Sequence, residues 1–340
     1  MSKITLKDVA VAAGVSYQTV SKVLNKQATV SPETEERIWE AARQLHYRPN
    51  VSARNLRTQS SNLIGYAWQR AADESPRPIL DQFLYNAVLR FEQAGYHVLT
   101  LLIGAAEEMD VTIYRELYGR RQVEGFILAD TNHDDPRIAY LIEQNIPFAS
   151  FGRANDAWDF CWVDVDGRYG MRTVVEHLLA QGHRRIGLIT WPEGSEAGAH
   201  REAGYEDGLA AAGIALNPQW IVRGENTVQT GAEATTRLLD LPAGERPTAV
   251  MCISDFIAIG ALNAARAAGL QPGPDIAITG YDDLPMSQFF HPPLTTVHQP
   301  IAEVSLQLAE LLLQQINNKP IAKKGILLNP RLVVRESSMR

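Results

Sequence analysis

No stretch of the 340-residue chain reaches about 18 consecutive apolar residues, which argues against a membrane-spanning helix. The opening residues, Met1-Ser2-Lys3-Ile4-Thr5, run directly into Lys7 and Asp8. Without an apolar segment there, no secretory signal is expected, and a cytoplasmic chain is. Cysteine is scarce: Cys161 and Cys252 each sit in an apolar run and are expected to be buried free thiols, as suits a reducing compartment. Also missing are a glycine-rich phosphate loop, a serine elbow and histidines at metal-ligand spacing, so no cofactor or metal is expected. An enzyme reading has only Asp282-Asp283 as a carboxylate pair with His183 or His291 as a base. Neighbouring side chains on a strand or turn usually point apart, which weakens it.

What is present is an uneven division of charge. The net charge of −7 would disfavour nucleic acid if it were spread evenly. Residues 1–60 hold nine Lys/Arg and five Asp/Glu, a balance of +4, and the remainder carries −11. A basic head on an acidic body turns polyanion attraction toward one end of the molecule.

Three short helices are expected in that head. Thr5-Leu6-Lys7-Asp8 has the pattern of a capping box and opens a helix ending near Gly14. Ser16 caps a second helix from Tyr17 to about Leu24, and Ser31-Pro32 opens a third. On the second helix Val20, Val23 and Leu24 form an inner face, and Gln18, Ser21, Lys22 and Asn25 an outer one, with Tyr17 at its leading edge. An outward stripe of amide, hydroxyl and ammonium groups suits a major groove, where glutamine pairs with adenine and lysine with guanine. A merely solvated polar face would look similar.

The stretch Val9-Ala10-Val11-Ala12-Ala13-Gly14-Val15-Ser16-Tyr17-Gln18-Thr19-Val20-Ser21-Lys22-Val23-Leu24-Asn25 resembles the headpiece of the LacI/GalR family of bacterial regulators. Val30-Ser31-Pro32-Glu33-Thr34 and Leu45-His46-Tyr47-Arg48-Pro49-Asn50 extend the resemblance. It implies that Tyr17, Gln18 and Lys22 read bases, although the family carries an arginine at the last position. It implies phosphate contacts by Thr5, Ser16, Thr19, Ser21, Asn25, Ser31 and Tyr47. It also implies a hinge at 49–61 after a headpiece at 1–48. That hinge would fold on DNA and wedge Leu56 into the minor groove, as part of a homodimer on a palindromic operator. No leucine-heptad tail follows, so a tetramer is not expected.

From Asn62 onward short β-rich runs alternate with helical segments. The runs are 63–68, 98–103, 125–129, 147–151, 186–190, 249–254 and 276–280; the helical segments between them include 80–94, 134–144, 169–181, 199–212 and 255–268. This alternation predicts βαβ units in parallel sheets covered on both faces, in two lobes. Ala94-Gly95-Tyr96, Arg201-Glu202-Ala203-Gly204-Tyr205, Gly280-Tyr281-Asp282-Asp283 and Pro293-Leu294-Thr295-Thr296-Val297 continue the family resemblance. The implied whole is an all-α helix-turn-helix headpiece plus an α/β periplasmic-binding-protein-like domain with two doubly wound parallel-sheet lobes. Lobe 1 is expected at about 62–161 and 299–326, lobe 2 at about 162–297 and 327–340. Ligands of open parallel sheets lie beyond the strand carboxyl ends, here Trp68, Gln69, Asp130, Arg153, Trp191, Asp255 and Asp282. By resemblance Arg201 and Asp282 bind a sugar-like effector, with Asp255 next in the pattern and Trp68 or Trp191 available to stack on it.

Overall fold

The computed structural model of the protein describes residues 4–24, 30–47, 60–69, 77–103 and 111–339, without the side chains of Gln69 and Leu102. Asn25, Leu56 and nearly all of the expected hinge lie outside the described residues. The chain forms two compact units, residues 1–61 and 62–340.

The first unit is helical, with α1 at Leu6–Ala13, α2 at Tyr17–Leu24 and α3 at Pro32–Gln44. Each start is fixed by a hydroxyl or carboxylate that satisfies amides left open by the helix. Asp8 accepts from the Thr5 backbone N–H at 2.7 Å, Ser16 Oγ accepts from Thr19 N–H at 3.1 Å, and Ser31 Oγ accepts from Thr34 N–H at 3.3 Å. Gly14 turns the chain out of α1 at a φ of 65°, a left-handed conformation that costs glycine nothing. Val9, Ala13, Val20, Val23, Ile38 and Ala41 make the core. Sixty residues bury little apolar surface, so the caps carry a large share of the unit's local stability.

The second unit holds two parallel sheets. Lobe 1 has six strands in the order β11-β5-β4-β3-β1-β2: β1 (Leu63–Gln69), β2 (His97–Ile103), β3 (Gly125–Leu128), β4 (Phe148–Phe151), β5 (Cys161–Val165) and β11 (Gly325–Leu328). Helices α4 (Pro78–Gln93) and α11 (Ile301–Ile316) cover one face with Phe83, Phe91, Val304 and Leu308; α5 (Thr112–Gly119) and α6 (Pro136–Glu143) cover the other with Tyr114, Leu117, Ile138 and Leu141. Lobe 2 has β7-β6-β8-β9, namely Ile221–Arg223, Ile186–Thr190, Ala249–Cys252 and Ala277–Thr279. Its helices are α7 (Gly167–Ala180), α8 (Glu196–Ala211), α9 (Val228–Leu239) and α10 (Asp255–Ala267). β10 (Thr296–His298) and β12 (Arg331–Val333) form an antiparallel pair where the chain crosses between lobes.

The chain passes between the lobes after β5, after β10 and after β11. Because β5 and β11 pair in the lobe 1 sheet, lobe 1 extends to about 165 and 328, a few residues beyond the expected 161 and 326. The sequence reading omitted β5, β7, β10, β11 and β12, and helices α5, α9 and α11. In α9 three threonines and one glycine disfavour a helix locally. Packing overrides that: a Cβ at Gly231 would lie 1.9 Å from the Ile257 carbonyl of α10. Cys161 and Cys252 are buried free thiols, and desolvation raises both thiol pKa values.

Candidate functional site

On the headpiece, α2 presents Tyr17, Gln18 and Lys22 to solvent. Ser21, expected on that outer stripe, is instead 7% exposed and sits on the buried side with Val20. That burial removes it from the outward set. Thr19 is half-buried, and its hydroxyl lies 2.8 Å from that of Ser16. The Thr5 hydroxyl donates to Asp8 at 2.7 Å, and these Thr5 donors hold the Asp8 carboxyl below the usual range. Tyr47 is half-buried against the same core; burial raises its phenol pKa, helped by nearby Tyr17. Tyr17, Gln18, Lys22, Thr5, Ser16 and Ser31 thus remain at the surface.

In the second unit a cavity of about 490 Å³ opens between the lobes at the strand carboxyl ends. Arg201, from α8, and Asp282, from the turn after β9, stand on its lobe 2 wall with Nη1 and Oδ1 4.0 Å apart. The guanidinium lies 3.8 Å from the Tyr281 ring centroid and 4.9 Å from that of Trp191, and it donates to the Ile253 carbonyl at 2.7 Å. Stacking and one fixed acceptor pin its direction while leaving other N–H groups for a ligand. Asp282 is held at a φ of 124°, and Gln299 Nε2 donates to its Oδ1 at 2.7 Å. Burial raises its carboxyl pKa, and Arg201 pulls the other way. Asp283 points away, toward Arg335 at 2.7 Å and His298 at 3.1 Å, so the two adjacent carboxyls do not form an acid–base pair.

Asp255 does not line the cavity. It is fully buried, accepting from Thr296 Oγ1 at 2.5 Å, Ser287 Oγ at 2.6 Å and Leu284 N–H at 2.8 Å. Gly280 leaves room for it, since a Cβ there would lie 2.2 Å from Asp255 Oδ1. Its carboxylate ties the β9 turn to α10, which is a structural role. Trp68 is also not in the lining; its ring packs edge-on to Tyr66, centroids 5.6 Å apart, beside the lobe 1 core. Trp191 does line the cavity, with Arg201 over its ring and an indole N–H that has no partner among the described residues.

Lobe 1 contributes Asp130, paired with Arg77, and Arg153, which donates from Nε to Asp164 at 2.8 Å. The sequence reading missed Asp164, Glu196, His200, Asn226, Phe256 and Gln299 among the lining residues. The signal was available for two of them: Glu196 and His200, one turn apart, share a face of the helix that carries Arg201. Asp164 and Asn226 follow or lie on strands that were themselves unread.

Comparison with known proteins places this geometry. Residues 5–50 match the model of bacterial regulatory proteins, lacI family, and residues 175–338 that of a periplasmic binding protein-like domain. The HTH-type transcriptional repressor PurR of Escherichia coli is 33% identical over 337 residues, covering 98% of this chain and 96% of its own.

The chain belongs to the LacI family.

Among solved structures it is similar to the lac repressor dimer bound to operator and the anti-inducer ONPF, with a TM-score of 0.88, 30% identity and all of both chains covered. It is also similar to the transcriptional regulator CelR in complex with cellobiose, with a TM-score of 0.74, 29% identity, and 98% of this chain and 100% of that one covered. This LacI-family chain is a DNA-binding transcriptional regulator controlled by a small molecule, not an enzyme. No helix among its described residues is long and apolar enough to cross a membrane.

Proposed function

We propose that the chain is a cytoplasmic repressor that binds a palindromic operator as a symmetric homodimer and is controlled by a sugar or sugar derivative held between its lobes. The observation that carries the effector assignment is the lobe 2 wall. Arg201 is pinned by two aromatic rings beside Asp282, with the indole N–H of Trp191 unpartnered nearby. Guanidinium and carboxylate forks each bind adjacent hydroxyls through two charge-assisted hydrogen bonds. Asp130 and Arg153 face them from lobe 1. CelR, bound to cellobiose, has the same fold. On the headpiece Tyr17, Gln18 and Lys22 are the base readers, Thr5, Ser16, Thr19, Ser31 and Tyr47 the phosphate contacts, and Leu56 the minor-groove wedge. Symmetric operators mirror two-fold protein symmetry, and one headpiece alone contacts too little DNA for high affinity.

The test is a thermal-shift screen of the full chain against sugars and nucleobases, followed by operator binding on a duplex enriched from a random library. A sugar that shifts both the melting temperature and operator affinity supports the reading. A response confined to nucleobases contradicts the sugar assignment.

A further inference from the structure

Each cation of the cleft already has a carboxylate beside it. Arg77 is paired with Asp130, Arg153 with Asp164 at 2.8 Å, and Arg201 faces Asp282 at 4.0 Å. Two further carboxylates, Glu196 and Glu225, line the same cavity, and Glu225 has no basic partner among the described residues. His200 does not redress the balance. An arginine can only donate, so the 3.0 Å contact from Arg153 Nη2 requires His200 Nδ1 to accept, which leaves the ring neutral. Its burial and the Arg153 charge both act in that direction. Five carboxylates therefore face three guanidiniums, and even with Asp282 protonated by its burial the acids still outnumber the bases.

We infer that the effector of this cleft is an uncharged saccharide, and that phosphorylated sugars, uronic acids and nucleotides are rejected. The inference rests on the sugar reading above and narrows it. An anionic ligand would enter a part-buried site of net negative charge, where repulsion is poorly screened. It would also have to compete with a carboxylate already beside each guanidinium. A neutral polyol needs neither. Paired carboxylates keep free lone pairs and paired guanidiniums keep free N–H groups. The remaining capacity lies on neutral groups: the Trp191 indole N–H, and Asn226, which accepts from Ser254 and retains its amide hydrogens. Rejecting the charged analogue by a like charge is a common route to specificity.

The experiment is calorimetric titration of the full-length protein with maltose, cellobiose, trehalose and sucrose, each beside its monophosphate, together with glucuronate and galacturonate. The neutral member of the bound pair is expected to bind at least about tenfold tighter than its phosphate, roughly 1.4 kcal/mol. In the isosteric variant Asp164→Asn, Arg153 loses its carboxylate, and the gap is expected to narrow by at least about threefold, roughly 0.65 kcal/mol. A phosphorylated or carboxylated sugar binding as tightly as its neutral parent overturns the inference while leaving the sugar reading intact. An unchanged gap in Asp164→Asn overturns the charge mechanism. Binding by none of these sugars overturns the sugar reading, and this inference with it.

Discussion

Arg153 and His200 join the two lobes across the cleft: Nη2 of Arg153, after β4 in lobe 1, donates to Nδ1 of His200, on α8 in lobe 2, at 3.0 Å. Neighbouring contacts make this edge a clasp. Glu196 lies 3.5 Å from His200 Nε2 and 3.4 Å from His133 Nδ1, and a backbone bridge links Asn132 to Ser195. Arg201 and Asp282 both belong to lobe 2, and apart from the hydrogen bond from Gln299 to Asp282 the cleft is tied here by residues other than the two that the family resemblance singled out.

This clasp carries a pH dependence with a definite sign. His200 accepts from Arg153 only when neutral, and burial, followed by the Arg153 charge, lowers its pKa from 6.5. A depressed pKa with the clasp formed means that the clasp is fully supported above pH 6.5 and loses that support as pH falls through the lowered value. Effector affinity should therefore weaken on acidification below pH 6.5, and His200→Gln should flatten that part of the profile. Asp282, whose pKa is raised, contributes with the opposite sign, so the difference between wild type and His200→Gln is the quantity to measure. Calorimetric titration across pH 5 to 8 reads it, and superimposable profiles would remove His200 from the account.

Asp255 should behave as a structural residue. Asp255→Ala strands the Leu284 amide and two hydroxyls and leaves a void, at a cost of about 2–4 kcal/mol. In a domain of this size that corresponds to a melting temperature lower by roughly 3–7 °C. Effector affinity of the folded fraction should change little. Calorimetry showing wild-type stability with lost effector binding would restore Asp255 as a ligand contact.

On the headpiece, Gln18→Ala should weaken specific operator binding by about 1–3 kcal/mol and leave binding to random DNA nearly unchanged. Ser16→Ala removes the α2 cap and should cost the headpiece about 1 kcal/mol of stability, weakening both kinds of binding together. Gel shifts on specific and random duplexes separate the two effects. Equal losses for Gln18→Ala would make it a positioning residue.

The headpiece was readable because its signals are local. Thr5, Gly14, Ser16 and Ser31-Pro32 fix the helix ends through atoms a few residues away. Ser21 is the exception, because helix periodicity gives an angle and not the packing that buries it at 7% exposure. The lobes were readable where strands are uniformly apolar, as in Ile186–Thr190. They were unread where charged or short strands such as Cys161–Val165 and Ile221–Arg223 depend on neighbours for definition. Arg201 and Asp282 came from family resemblance. Arg153, Asp164 and His200 meet only through the tertiary fold, and no spacing in the sequence announces their pairing. Asp255 is the converse case: its strand-end position predicts a cleft residue, but Ser287 and Thr296 draw its carboxylate inward.

The most direct test of the account is operator binding by fluorescence anisotropy, with and without the sugar found by screening, for wild type, Arg201→Ala and Asp282→Asn. Coupling between ligand sites is typically about 1–3 kcal/mol, so the sugar should change wild-type operator affinity by at least about fivefold. Both variants should lose that response yet keep sugar-free operator affinity within about threefold, roughly 0.65 kcal/mol. A variant that still responds at the wild-type sugar concentration, or a wild type whose operator affinity no sugar alters, would contradict a regulator controlled through this cleft.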